Sequence, residues 1–198
     1  ATGAALALLP WLHSRFAVLA AALGVVIVLR LRSSGWRLGP IPRFLSVPAI
    51  GGGAWFAFFW MIWGSVSPTA PYGADTSTSF SYILRGLIGL MVDQQFGLIA
   101  TAPIYVVALV GLVVLARQQP RLAVELALVA LPYAIAVASY AMWWAGAAAP
   151  ARFLVSILPL AALPIAIAFA DLSTWRIPVV ILLLVSMGLI MPRAMVES

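Results

Sequence analysis

Residues 97–116 run for 20 positions without one charged side chain. That is the length of apolar helix needed to cross the hydrocarbon core of a bilayer, about 20 residues. The rest of the chain is built the same way: 65% of its 198 residues are hydrophobic and 8% are charged, with a mean hydropathy of +1.13. A soluble domain carries about 25% charged residues, and a chain this apolar cannot cover its surface with polar groups in water. A soluble globular fold is therefore excluded. The expected class is all-α, a polytopic transmembrane helix bundle forming a single transmembrane domain over residues 1–198.

Uncharged runs define the expected spans. Residues 16–29, 44–66, 97–116, 122–140, 153–170 and 177–191 give six, the first short enough that Arg15 and Arg30 must snorkel. Residues 1–9 form an apolar stub without a basic n-region or a cleavage signal, so they do not read as a signal peptide. The stub reads instead as a partial helix begun upstream, which makes the chain the C-terminal part of something longer. Pro48, Pro132, Pro159 and Pro164 interrupt helical runs and predict kinks that neighbouring helices must satisfy.

Few groups are available for chemistry. There is no cysteine, one histidine (His13), and five acids: Asp75, Asp93, Glu125, Asp171 and Glu197. That set excludes disulfides, a thiolate nucleophile and a histidine-rich metal centre, and no metal site is expected. The net charge of +6 comes from eleven arginines and no lysine. In a soluble protein a pI near 10.8 would suggest nucleic acid; here the arginines punctuate apolar runs, and no nucleic-acid partner is expected.

Positive charge is retained on the cytoplasmic side of membrane proteins. Counting alternate sides, Arg30, Arg32, Arg37, Arg43, Arg117, Arg121 and Arg176 share one face, against Arg15, Arg85, Arg152 and Arg193 on the other. The first face is thus cytoplasmic, and the 10–15 turn, the 67–96 segment and the 141–152 loop are extracytoplasmic. There, residues 81–92 read as a short interfacial helix carrying Arg85. His13, Arg15, Arg85 and Arg152 are the candidates for a lipid phosphate, since guanidinium groups bind phosphate bidentately. Asp93, directly before an apolar run, is a helix cap or else a general base or metal ligand. Trp143 and Trp144 read as an interfacial aromatic belt or a sugar-stacking platform. Glu125 pairs with Arg121 at i,i+4, which leaves little for intramembrane proton coupling.

The order of short motifs carries a resemblance. It runs Leu8-Leu9-Pro10-Trp11-Leu12-His13-Ser14-Arg15-Phe16, Pro71-Tyr72-Gly73, and Asp93-Gln94-Gln95-Phe96-Gly97-Leu98 through Ala102-Pro103-Ile104-Tyr105. It ends in Trp143-Trp144-Ala145-Gly146, Pro150-Ala151-Arg152-Phe153-Leu154 and Leu158-Pro159-Leu160. This order resembles the C-terminal half of bacterial multi-pass glycosyltransferases of the GT-C superfamily, mannosyltransferase-like branch. The resemblance implies a polyprenyl-phosphate-linked sugar as donor, membrane lipid and other membrane subunits as partners, and an extracytoplasmic active site in the bacterial inner membrane. It also implies inversion at the anomeric carbon and a catalytic carboxylate upstream of residue 1, with a divalent cation as the one cofactor left open. Where relatives carry Gly-Gly-Trp-Ser before Gly-Pro-Arg, this chain has Ala145 to Arg152, keeping the arginine and losing the hydroxyl. The readings from other classes are a non-catalytic subunit of a larger membrane complex and, third, a lipid or solute transporter.

The topology is directly testable in this cysteine-free chain. Single cysteines at Ser34 and Thr76 are expected to show opposite reactivity to an impermeant maleimide in intact cells, with position 76 labelled. Labelling of position 34 alone overturns the assignment.

Overall fold

The computed structural model describes residues 2–34, 40–68, 70–72, 78–146, 150–171, 174 and 176–196. Among them are nine α-helices and no strand, with one isolated bridge between Thr78 and Tyr140. The helices are α1 (Thr2–Leu12), α2 (Phe16–Ser33), α3 (Pro40–Trp63), α4 (Ile83–Val92) and α5 (Leu98–Thr101), then α6 (Ile104–Gln118), α7 (Pro120–Ala138), α8 (Ala162–Asp171) and α9 (Arg176–Val196). Arg37, Asp75, Glu197 and residues 147–149 lie outside the described set. The chain divides into two compact units, Ala1–Ser77 with Leu131–Ala136, and Thr78–Ala130 with Val137–Ser198.

In the first unit α1 packs on both α2 and α3. Gly3 and Ala7 lie four apart on one face of α1, the spacing that lets membrane helices approach closely. A Cβ on Gly51 of α3 would stand 2.6 Å from the Ala7 Cβ, whereas one on Gly52 or Gly53 would meet open space. Of the triple glycine, only Gly51 is therefore needed for packing. Beyond this crossing the contacts are aromatic. Trp11 meets Phe58 at 5.5 Å, and buried Trp55 is edge-on to Phe56 and Phe59. Phe16 stacks on the fully buried Tyr133.

In the second unit α6 and α8 form the main crossing, because Gly111 lies directly against the Pro164 carbonyl. Gln118 Nε2 donates to Asp171 Oδ2 at its end. The core is Ala102, Ile104, Val107, Ala168 and Val179. Here the expected span 97–116 is broken. Pro103 disfavours helical backbone at the residue before it, and Ala102 leaves the helix at φ −141° and ψ 77°. The break exposes the Ile104 N–H, which donates to Ser186 Oγ of α9 at 3.1 Å; that hydroxyl donates in turn to the Leu182 carbonyl at 2.6 Å. Neighbouring Ser or Thr side chains are the usual means of satisfying a broken helix where water is absent.

Of the six expected spans, length supports three: among the described residues, Phe16–Ser33, Ile41–Trp63 and Pro120–Ala138 are long and apolar enough to cross a membrane. With 15 residues α6 rises roughly 22 Å, and with 10 residues α8 rises roughly 15 Å, against a hydrocarbon core of roughly 30 Å. Residues 153–170 fall short because the run opens as 3-10 turns, Arg152–Leu154 and Leu158–Ala161, before α8 begins. α9 has 21 residues, but its apolar stretch covers Arg176–Met191 alone. Run 16–29 errs the other way: α2 continues to Ser33, so Arg30 and Arg32 form its last turn.

Ser186→Ala removes the acceptor for a buried N–H and is expected to cost about 1–3 kcal/mol. Reversible unfolding in detergent measures it, and a loss below about 0.5 kcal/mol, the lower end for a net hydrogen bond, would show that the break is satisfied otherwise.

Candidate functional site

The second unit brings together, by its own hydrogen bonds and close packing, turns that are distant in sequence. A 3-10 turn, Phe80–Tyr82, is capped by Ser79 Oγ, which accepts from the Ser81 N–H at 3.3 Å, and it leads into α4. One face of α4 is buried through Gly86 and Leu90. Gly86 lies against the Ala138 carbonyl at the end of α7, and Gly89 lies against the indole of Trp143. The Ser79 N–H donates to the Ser139 carbonyl at 2.9 Å. The other face is apolar yet exposed: Phe80, Leu84, Ile88 and Val92 recur every four residues, with exposed Arg85 beside them. The short amphipathic helix expected over 81–92 is thus present, its apolar stripe pointing outward.

Asp93 ends α4 and builds the next turn. Its Oδ1 accepts from the N–H groups of Gln95 (2.9 Å) and Phe96 (2.8 Å), and its carbonyl accepts from the Gly97 N–H at 2.8 Å. Gly97 sits so close to the Asp93 backbone that no Cβ fits there. One carboxylate oxygen is therefore committed to capping. The Phe96 carbonyl in turn accepts from the Ala151 N–H at 3.0 Å. This bond ties the Asp93 turn to the residue preceding Arg152, whose side chain is exposed at the start of a 3-10 turn.

Two residues between Trp143 and Arg152 hold a costly backbone conformation. Ala145 (φ 68°) and Ala151 (φ 53°) are both left-handed, each costing roughly 1–2 kcal/mol for a residue with a Cβ. Such residues persist where the surroundings over-determine them and concentrate at functional sites. Trp143 is 8% exposed and its Nε1 has no hydrogen-bond partner. Its ring is thus packed, not presented. Trp144, half-buried, meets it edge-on at 5.6 Å, and is the indole of the pair more open to a ligand.

His13 and Arg15 belong to the first unit, in the turn between α1 and α2. His13 Nδ1 accepts from the Arg15 backbone N–H at 3.3 Å and from its Nε at 3.4 Å, and Arg15 Nη2 lies 3.0 Å from His13 Nε2. The arginine folds back over its own neighbour. Among the described residues no three His, Asp or Glu side chains stand together. Glu125 is buried on α7 with Arg121 Nε 3.4 Å from its Oε1, the i,i+4 pair that the spacing predicts.

Two elements of this arrangement escape the sequence. Nothing in an alanine signals positive φ at 145 and 151, although Gly146 (φ 69°) between them marks the turn. The pairing of Gly89 with Trp143 had a faint signal in the Gly86 and Gly89 spacing, which places both glycines on neighbouring positions of one helix face. No known protein family, characterised protein or solved structure matches the chain.

The two readings of Asp93 separate by substitution. As a cap, Asp93→Ala is expected to lose about 0.5–2 kcal/mol while Asp93→Asn, which retains an acceptor oxygen, stays within a few tenths of the parent. Thermal unfolding of both variants in detergent checks this; equal destabilisation by Asn and Ala would assign the carboxylate charge a role beyond the cap.

Proposed function

We propose that the chain is the membrane-embedded portion of a polyprenyl-phosphate-sugar-dependent glycosyltransferase, acting at the extracytoplasmic face of a bacterial cytoplasmic membrane. The observation that carries the reading is the Ala151 to Phe96 hydrogen bond. It fixes the Arg152 turn against the Asp93 turn, within a loop that spends backbone energy on two left-handed alanines. The site is confined to the unit that holds Arg85, Asp93, Trp144 and Arg152; His13 and Arg15 are not assigned to it.

The chemistry asks little of these residues beyond binding. An acceptor hydroxyl loses its proton to a carboxylate supplied by another part of the protein. As it attacks the anomeric carbon, the bond to the lipid phosphate breaks and negative charge collects on the departing phosphate oxygens. Guanidinium groups placed where that charge develops stabilise the transition state more than the ground state. Arg152 is assigned this role, with Arg85 as a second cation on the same unit. Trp144 offers an apolar face to the sugar ring.

A non-catalytic membrane subunit is the second reading, favoured by the capping role of Asp93 and the burial of Trp143. Arg152→Lys separates the two. A bidentate phosphate ligand should lose on the order of 1.5–3 kcal/mol of polyprenyl-phosphate affinity, whereas an interfacial anchor needs only a cation and tolerates lysine. Binding of polyprenyl phosphate to the purified protein measures the difference, and equal affinities remove the support for the enzyme.

A further inference from the structure

Among the described residues one buried side-chain polar atom has no hydrogen-bond partner, the Nε1 of Trp143. Buried donors nearly always find an acceptor, and one left unpaired costs the folded state. Its position is set by α4. The six-membered edge of the indole lies on Gly89, where a Cβ would stand 2.8 Å from Cε2, the ring carbon bonded to Nε1. Arg85 and Asp93 stand one helical turn before and after Gly89, on the same row of the helix. The indole is seated over the stretch between them.

The two ends of that row differ in what they admit. Arg85 is exposed in the first turn of α4, where a cation opposes the macrodipole; an anion beside it would offset that cost. At the other end the Asp93 carboxylate repels an anion, and its Oδ1 is taken by the N–H groups of Gln95 and Phe96. The acceptor that suits both the indole N–H and the guanidinium is a phosphate oxygen on the Arg85 side, since a charged acceptor makes a stronger bond than a hydroxyl. With the ring on Gly89 the nitrogen is closed to solvent, so the oxygen reaches it only as the indole shifts. The seated position is the costly one: it leaves the N–H unpaired, and the turn that follows places Ala145 at φ 68°, a region that residues with a Cβ rarely adopt.

We infer that Trp143 is a phosphate-binding residue, whose indole N–H, unpaired while the ring sits on Gly89, donates to a phosphate oxygen of the lipid-linked donor held beside Arg85. The identity of the phosphate carrier rests on the glycosyltransferase reading; contact with the sugar ring stays with Trp144.

Purified protein with isotope-labelled indoles, titrated with polyprenyl phosphate in detergent and followed by NMR, tests this. The Trp143 N–H signal, assigned through the contact of its ring with Gly89, is expected to move downfield as polyprenyl phosphate binds. Neutral polyprenol or inorganic phosphate at equal concentration should leave it in place, and an equal response to either overturns the assignment to a lipid-linked phosphate. Replacing Trp143 with benzothienylalanine keeps the bicyclic ring and substitutes sulfur for the N–H. That protein should bind polyprenyl phosphate about tenfold or more weakly, the loss of a hydrogen bond to a charged group, and should unfold without lipid no earlier than the wild type. The same replacement at exposed Trp63 in the first unit should change neither. Lower stability with unchanged affinity would make the N–H a structural donor and overturn the site. Binding by the wild type with the Trp143 signal unmoved overturns this assignment alone, whereas a wild type that does not bind polyprenyl phosphate overturns the glycosyltransferase reading and this site with it.

Discussion

Backbone meets backbone or ring at Gly51, Gly86, Gly89 and Gly111, and the packing of both units depends on the absence of a side chain at those points. In lipid there is no hydrophobic force between two apolar helices, so association rests on van der Waals contact at close range. Gly111 lets the Pro164 carbonyl into contact with α6, and Gly86 does the same for Ala138. A methyl group at either would have to displace main chain, not a flexible side-chain tip. Large apolar residues such as Leu184 and Met61 remain exposed, while the closest helix approaches are made at glycine.

The candidate site inherits its geometry from these contacts. Because Gly89 admits the Trp143 indole and Gly86 admits the end of α7, the C-terminal part of α4 is held where the Asp93 turn can receive the Ala151 N–H through Phe96. Ala151, left-handed, is the residue whose N–H makes that bond, and Arg152 follows it directly.

The sequence made the helical class legible because apolar composition and scarce charge leave few alternatives, and it made the Arg121 and Glu125 pair legible because the interaction is local. Helix lengths were not legible. An uncharged run counts residues without reporting where the backbone stops being helical, and Ala102-Pro103 ends a helix that hydropathy carries straight through. That Asp93 builds a turn could be read from its position before an apolar run, although the residue that caps α5 is Gly97. The burial of Trp143 could not, since a tryptophan at a helix end looks the same whether it faces lipid, sugar or a glycine on another helix.

One bond has a consequence for biosynthesis. The Ile104 N–H finds its acceptor 82 residues later, on α9. At roughly 5–20 residues per second, that donor stays without Ser186 for about 4–16 s after it is polymerised. During that interval a donor placed in hydrocarbon would cost several kcal/mol, whereas one in contact with water would not. α9 thus supplies, late in synthesis, the acceptor that the α5–α6 break lacks when it is first made.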